Sequence, residues 1–275
     1  MKNIVSKSEN SNSDIPKPNF IIEVHYRYPA LFPIIFSHSL IILIWYMVTA
    51  FGNIPAFILP SPYETFQTLS QDNYAWGLNF LVTALEIYVG YIIAILFGIA
   101  VAVIFYWFRW FFVWMFSLFV TFSMIPKIAL GPLFVVWFGY GISTNILITF
   151  VIAFFPMLLT TLRGLREVDP EMLELVRSLK ATRWQIFTKI QLPNSLPYIF
   201  SGAKVSSILA VAGTIVGEFI ASENGLGYLM IQVQAVLDTA AMFMAVILLS
   251  LIGVSLYVII VVLERLFVVQ DARLD

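Results

Sequence analysis

The residues that decide the fold are 163–193, RGLREVDPEMLELVRSLKATRWQIFTKIQLP, the longest charged stretch of the chain. Six of the fifteen lysines and arginines lie in it, together with four acidic residues, and apolar segments flank it on both sides. The hydrocarbon region of a bilayer does not accommodate this density of charge, because each charge is costly to bury in lipid. We therefore expect residues 163–193 to lie in water, between two segments that lie in the membrane.

The first half of this stretch has the pattern of a short helix. Asp169 is positioned to cap its N-terminus, and Pro170 suits the first helical position, where a proline loses no hydrogen bond. Apolar residues then follow on one face at helical spacing: Met172, Leu175, Val176 and Leu179.

The second half predicts another helix. Thr182 and Gln185 have the spacing of a capping box, in which each side chain satisfies the other's backbone amide. Trp184 and Phe187 follow on one side, and Leu192-Pro193 is expected to end the helix. Two helices that present aromatic side chains from an aqueous loop indicate a contact surface.

The spacing of this stretch resembles the EAA loop of binding-protein-dependent ABC importer permeases. The family pattern is E-A-A-x3-G-x9-I-x-L-P, and this chain has Glu174-Leu-Val-x3-Lys180-x9-Ile190-x-Leu192-Pro193. The chain departs from the family pattern in two places: Leu175-Val176 replaces the two alanines, and Lys180 replaces the glycine. A lysine in the left-handed conformation costs roughly 1 kcal/mol or more, so the turn is expected to be strained or differently shaped.

The resemblance implies an all-α integral membrane protein with about six transmembrane helices, the type I ABC importer permease fold. It implies that a cytoplasmic ABC ATPase dimer docks on the loop and binds ATP and Mg, so that this chain binds no cofactor. It also implies a second permease subunit, either a second copy in a homodimer or a different permease chain, and an extracytoplasmic substrate-binding protein. The residues expected to couple to the ATPase are Asp169, Glu174, Ser178, Lys180, Ala181, Thr182, Arg183, Trp184 and Phe187.

Composition independently indicates a membrane protein. Hydrophobic residues make up 60% of the chain and charged residues 11%, whereas a soluble domain has about a quarter charged residues. The net charge of −1 gives no basic field for nucleic acid. The chain has no cysteine, which excludes disulfides and thiolate chemistry.

Six apolar spans are expected, at roughly 31–51, 78–106, 111–138, 144–162, 194–220 and 239–263. The intervening segments carry 4, 0, 1, 0, 6, 0 and 2 lysines and arginines in chain order, and Lys127 and Lys204 lie within spans. This alternation follows the positive-inside rule with both termini cytoplasmic, and the family resemblance implies a bacterial-type inner membrane. The predicted organisation is a polar tail (1–29), a transmembrane domain (30–265) and a short cytoplasmic tail (266–275).

Prolines predict irregularities within these spans. The third is too long for a straight helix across a core of about 30 Å and should bend between Pro126 and Pro132. Pro197 is expected to break the fifth span. Between the first two spans, Pro62 can begin a short surface helix, and residues 221–238 are expected to form an outer loop.

No catalytic constellation or phosphate-binding Gly-x4-Gly-Lys-Ser/Thr loop occurs, so the chain is predicted not to be an enzyme. The two histidines, His25 and His38, lack partners at ligand spacing, so no metal site is expected.

Charges and aromatic residues within the spans are the candidates for a substrate pathway. Lys127 either attracts an anionic substrate group at the bend or extends to the membrane surface. The favoured interpretation of Glu218 is a structural hydrogen-bonding role, and the alternative is substrate contact or an outer gate. Phe134 and Trp137 can stack on a ring-shaped substrate.

The predicted function is an ABC importer permease that moves a small anionic or heteroaromatic solute, such as nitrate, a sulfonate, taurine or a vitamin precursor. The glycines Gly202, Gly213 and Gly217 form a small-residue seam on the fifth span, which suits close helix packing and a dimer. The alternative function is an ion-driven secondary transporter that uses Glu86 and Lys204 as partners across two spans. A membrane-embedded enzyme is not supported, since it would need paired carboxylates or a histidine cluster.

Overall fold

The structure is a computed structural model that describes residues 31–268, with side chains from residue 33 onward. Within these residues all regular structure is helical. Five helices are long and apolar enough to cross a membrane, or six when a sharply bent pair counts as one span. This confirms the all-α class with about six spans, whereas the predicted tail at 1–29 lies outside the described residues.

The chain divides into two compact units, residues 1–54 and 55–275. In the first unit, helix α1 (Leu31–Phe51) has the predicted bounds of the first span. Its side chains are almost all exposed within the structure, and they are mainly aliphatic and aromatic. This composition suits a helix surrounded by lipid.

The second unit contains ten helices within its described residues. Short 3-10 segments at Thr68–Ser70, Asp72–Tyr74 and Lys127–Leu130 connect some of them. The helices are α2 (Pro62–Gln67), α3 (Trp76–Trp107), α4 (Arg109–Met124), α5 (Gly131–Phe138), α6 (Ile142–Arg166), α7 (Pro170–Ser178), α8 (Arg183–Ile186), α9 (Leu192–Ala221), α10 (Leu226–Ala235) and α11 (Thr239–Phe267).

Helix α6 forms the centre of this unit, because it packs along both α3 and α9. Small residues allow the close approach: a Cβ at Gly98 of α3 would lie 2.9 Å from Met157 of α6. On α9, a Cβ at Gly213 would come within 3.2 Å of Ile152, and one at Gly217 within 3.0 Å of Asn145. The predicted glycine seam is therefore occupied by α6 of the same chain, and it gives no support to a dimer.

The predicted bend in the third span is confirmed. Helix α4 ends at Met124, and the 3-10 turn Lys127–Leu130 and α5 follow. The segment Lys127–Phe138 is bent by 88° relative to α4. Pro126 lacks a backbone donor and restricts the residue before it, which breaks the helix at this point.

The prediction that Pro193 and Pro197 interrupt the helix at the fifth span is wrong. Leu192-Pro193 does not end the preceding helix and Pro197 does not break the span, because α8, a π-helical turn (Phe187–Gln191) and α9 run on without interruption. The wider turn shifts the hydrogen-bonding register just before Pro193, so that the missing amide is accommodated. Pro197 is buried, and packing around a helix in a membrane protein compensates for one lost hydrogen bond.

Residues 221–238 were expected to form an outer loop, but they contain helix α10. Leu226, Leu229 and Val233 are buried on one face of it. Their spacing of three and four residues is the signal that indicates this helix in the sequence.

Candidate functional site: the two-helix loop at residues 163–193

The first helix of the loop, α7, begins as predicted. The Asp169 carboxylate accepts a hydrogen bond from the Glu171 amide at 2.9 Å, and Pro170 occupies the first turn. The exposed Ser178 hydroxyl donates to the Glu174 carbonyl at 3.0 Å. These contacts are local, and they give the helix a defined start without burying it.

The apolar face of α7 is open to the surroundings. Leu175 is 62% exposed and Leu179 73% exposed, and Met172 beside them is also exposed. An isolated helix of nine residues is marginal in water, and exposing its apolar face costs further free energy. The helix therefore presents an exposed apolar patch, a feature that often marks an interaction site.

The turn after α7 has the shape that the family forms with glycine. Lys180 has a φ of 56°, in the left-handed region. Its amide donates to the Arg177 carbonyl at 2.9 Å, and the Ala181 amide donates to the Val176 carbonyl at 3.1 Å. This pair of hydrogen bonds is a Schellman motif. Of the two predicted outcomes, a strained turn or a different shape, the structure has the strained turn.

The second helix starts with the predicted capping box. The Thr182 amide donates to the Gln185 side chain at 2.8 Å, and the Gln185 amide donates to the Thr182 hydroxyl at 3.3 Å. Arg183 follows as the first helical residue, and it is exposed.

The two aromatic residues of this helix lie in different environments. Phe187 is only 5% exposed, because its ring stacks on Tyr106 at 5.6 Å and meets Trp107 edge-on at 5.5 Å. Trp184 is 63% exposed and packs on Phe187 at 5.8 Å. Phe187 therefore supports Trp184 and is not itself available to a partner, contrary to its expected role as a docking residue. The prediction missed Tyr106 and Trp107, although the aromatic run that ends α3 was a signal for them.

The loop is attached firmly to the helices that it joins. The Tyr106 hydroxyl donates to the Gln191 side chain, and the Asn194 side chain donates to the Glu167 carbonyl at 2.7 Å. From Arg183 to Ala221 the chain forms one helical rod of 39 residues, about 58 Å long at 1.5 Å per residue. The second loop helix and α9 are therefore parts of one continuous helical segment.

The candidate pathway residues at the bend form two separate sets of contacts, and none of them is buried. The Lys127 ammonium group donates to the Ser123 carbonyl at 3.2 Å and lies 5.0 Å from the centre of the Phe155 ring. Phe134 and Trp137 contact each other at 6.1 Å on α5, and Trp137 is exposed.

Glu218 is buried and has a structural role. Its carboxylate accepts hydrogen bonds from the Thr83 hydroxyl at 2.5 Å and from the Gly227 amide at 2.5 Å. The Thr83 hydroxyl in turn accepts from the Leu226 amide at 2.8 Å. Glu218 thus joins α3 to the first turn of α10, whose amides need acceptors. These contacts support the hydrogen-bonding interpretation of Glu218, and substrate contact or an outer gate stays an untested alternative.

The proposed pairing of Glu86 with Lys204 is wrong. Lys204 forms an ion pair of 2.8 Å with Glu264 of α11. Glu86 is buried and accepts a hydrogen bond from the Asn145 side chain at 2.8 Å. The two charges that a secondary transporter was expected to use thus belong to separate clusters.

Residues 94–269 match the profile of the binding-protein-dependent transport system inner membrane component family. This match covers more than half of the chain, and the chain therefore belongs to that family. It is a multi-pass membrane protein and a permease subunit of an ABC importer. The resemblance that the loop suggested is confirmed, and the secondary transporter is not favoured.

Individual relatives agree with this family. The chain is 33% identical over 219 residues to the probable ABC transporter permease protein of Haemophilus influenzae, covering 80% of this chain and 89% of the relative. It is 30% identical over 240 residues to the formylaminopyrimidine transport permease protein ThiX of Halalkalibacterium halodurans, covering 87% and 95%. It is 37% identical over 148 residues to the riboflavin transport system permease protein RibX of Chloroflexus aurantiacus, covering 54% and 55%. Permease subunits of this kind are typically not catalytic, and they belong to systems with an ATPase and a substrate-binding protein.

Proposed function

We propose that the loop at residues 163–193 is the surface on which a separate ATPase docks, and that α9 carries the resulting motion into the membrane. The single observation behind this proposal is the exposed apolar face of α7 next to a helical rod that continues into a span. Burial of Leu175 and Leu179 in a cleft of the partner supplies the binding free energy. Trp184 adds a large, rigid contact, the type of residue that dominates interface energetics.

Within this proposal, the coupling residues have different roles. Asp169 and Thr182 fix where the two helices begin, and Lys180 sets the angle between them. Glu174 and Arg183 are exposed and act as polar contacts around the apolar centre. Closure of two ATPase subunits on ATP and Mg moves two such loops as rigid bodies, which rocks the spans between inward and outward openings.

The proposed assembly follows from the family to which the chain belongs. It contains an ATPase dimer, a second permease copy as a homodimer and an extracytoplasmic substrate-binding protein, in a bacterial-type inner membrane. The loop and both termini face the cytoplasm, in agreement with the distribution of lysine and arginine. Since α6 occupies the glycine seam, the second copy must use a different surface of this chain. Chemical cross-linking of the purified complex tests for that copy.

We propose that the solute is a small heteroaromatic compound, with a small anion as the second candidate. Relatives named for formylaminopyrimidine and riboflavin transport support the first class. The bend carries aromatic side chains, Phe134 and Trp137, and one cation, Lys127, which can receive a ring or an anionic group. Uptake of riboflavin, a formylaminopyrimidine and taurine by wild type and Lys127→Gln separates the two candidates. Only uptake of an anion should fall strongly in the variant.

The docking proposal is tested by copurification of the chain with its ATPase and by ATPase activity of the complex. Leu175→Glu places a charge in the centre of the docking surface, and Trp184→Ala removes the largest contact. We expect Leu175→Glu to abolish copurification and Trp184→Ala to lower ATP hydrolysis about tenfold or more, as expected for loss of an interface hot spot.

Val236→Glu is the matched control, because Val236 is 75% exposed and lies after α10, outside the loop. It should behave as wild type. Copurification that survives Leu175→Glu and Trp184→Ala together contradicts the proposal.

A further inference from the structure

A second surface of the loop is a cleft of about 400 Å³ between the loop and the corner that joins α3 to α4. We call it the arginine cleft. Three arginines from three separate segments converge on it, and aromatic and polar residues complete its wall. The lining residues are Tyr106, Trp107, Arg109, Arg177, Arg183, Ile186 and Gln191.

The charges of the arginine cleft are not compensated within the described part of the chain. Among the residues that the structure describes, no acidic residue lines the cleft. The ion pairs found among residues 33–268 are Arg163 with Glu167 and Lys204 with Glu264, and neither includes an arginine of the cleft. Three guanidinium groups around one concavity therefore form a site for an anion, and their planar donor sets suit phosphate oxygens.

The cleft lies apart from the apolar centre of the proposed docking surface and shares only Arg183 with its polar rim. Successive residues of a helix are rotated by about 100°, which puts Leu175 and Leu179 within about 60° of Met172 on the exposed face of α7. By the same rotation Arg177 lies about 140° away from Met172. A partner that covers the apolar face of α7 leaves Arg177 directed toward the cleft.

The corner beside the cleft has the composition of a membrane–water interface. Phe108, Trp110 and Trp114 are all exposed apolar residues around Arg109. Tryptophans concentrate at the level of lipid headgroups, where their rings are partly apolar and partly wet. Trp107 ends α3 and also lines the cleft. An anionic group in the cleft is therefore at the depth of the headgroups in the leaflet that adjoins the loop.

From these observations we propose that the arginine cleft binds the phosphodiester headgroup of an anionic phospholipid from that leaflet. Arg109, Arg177 and Arg183 bind the phosphate oxygens, and Trp107 and Tyr106 form the apolar and hydroxyl-bearing wall. Because Arg109 belongs to the corner of two spans and Arg183 to the rod that includes α9, the bound headgroup connects the loop to the membrane surface. Lipid binding is measured on this chain alone, so it does not depend on the docking proposal.

The test is native mass spectrometry of the full chain purified in detergent and titrated with phosphatidylglycerol or phosphatidylcholine. We expect wild type to retain one phosphatidylglycerol in preference to phosphatidylcholine. Each basic residue near an anionic headgroup contributes about fivefold to affinity, so Arg109→Gln/Arg177→Gln should bind phosphatidylglycerol about 25-fold more weakly. Both arginines are exposed, so the variant keeps the fold. Arg109→Lys/Arg177→Lys, which keeps both charges, should recover most of the affinity.

Arg163→Gln/Lys189→Gln is the matched control, since it removes two positive charges of the same loop outside the cleft. It should bind as wild type. Equal retention of phosphatidylglycerol by wild type and the cleft variant overturns the proposal, because the lipid is then bound elsewhere.

Two further outcomes also overturn the proposal. Displacement of the lipid by inorganic phosphate at low millimolar concentration indicates a site for free phosphate. Absence of phosphatidylglycerol binding in wild type, with loss of ATPase copurification in Arg109→Gln/Arg177→Gln, assigns the cleft to the ATPase.

Discussion

The polar residues at the two ends of helix α9 differ in burial and in hydrogen bonding. Before its N-terminus, the loop at residues 163–193 exposes its charges, and most of them have no partner in the described chain. Near its C-terminus, Glu218 is buried and accepts hydrogen bonds from two other segments. Buried polar groups must be satisfied internally, whereas exposed groups that hold no internal contact are free to serve a partner. The same residue types therefore maintain the structure at one end and form an interaction surface at the other.

The largest effect on stability is expected when the buried ion pair between Lys204 and Glu264 is broken. Lys204→Ala leaves the Glu264 carboxylate buried without its partner, at a cost of about 3–5 kcal/mol. The thermal unfolding midpoint of the detergent-purified chain should fall clearly. The double variant Lys204→Ala/Glu264→Ala removes both charges and should recover most of that loss. No recovery in the double variant means that packing, and not the charge pair, accounts for the effect.

Glu218 is expected to have the next largest effect. Glu218→Ala leaves the Gly227 amide and the Thr83 hydroxyl without their acceptor, at a cost of about 1–3 kcal/mol. The first turn of α10 should loosen, which hydrogen exchange of residues 226–230 measures. Glu218→Gln keeps one side-chain oxygen and should cost less. Normal stability with lost transport in Glu218→Ala instead supports a direct role in the pathway.

The capping box of the second loop helix provides a smaller and local test. Thr182→Ala removes the hydroxyl that accepts from the Gln185 amide, and loss of such a cap costs about 1 kcal/mol. Because α8 continues into α9, fraying should be confined to the first turn. We expect an unchanged unfolding midpoint and reduced ATPase activity of the complex. Thr182→Ser retains the hydroxyl and should retain the activity.

The smallest expected effect is at Lys180. Lys180→Gly relieves roughly 1 kcal/mol of left-handed strain but increases the freedom of the unfolded chain, so the net gain is a few tenths of a kcal/mol. Equilibrium unfolding should therefore change little, whereas Lys180→Val, with a branched side chain at positive φ, should be clearly destabilised. A large destabilisation by glycine indicates that the lysine side chain has a structural contact.

Features of the chain with local causes could be predicted from the sequence. The caps at Asp169 and Thr182 depend on residues two or three positions away, and the bend at Pro126 depends on a missing amide. The limits of the first two spans follow from the length of their apolar runs. All of these needed only neighbouring residues.

Features that depend on distant residues were not predictable in the same way. Lys204 was expected to pair with Glu86, and only the packing of α9 on α11 identifies Glu264 as its partner. Phe187 was expected to contact a partner together with Trp184, but Tyr106 and Trp107 from another helix cover it. Pro193 was expected to end a helix, and the π-helical turn before it makes the helix continuous. Helix α10 is different, because its apolar spacing was present in the sequence and was overlooked.

The central claim is that the exposed face of α7 becomes covered by the ATPase, and cysteine labelling tests it most directly. The chain has no cysteine, so Leu175→Cys and Val236→Cys each introduce a single reactive site. In the chain alone, a maleimide reagent should label both positions quickly, since both residues are exposed. In the complex with the ATPase, labelling at position 175 should slow at least tenfold while labelling at position 236 stays fast. Equal labelling of position 175 in the chain alone and in the complex would contradict the claim.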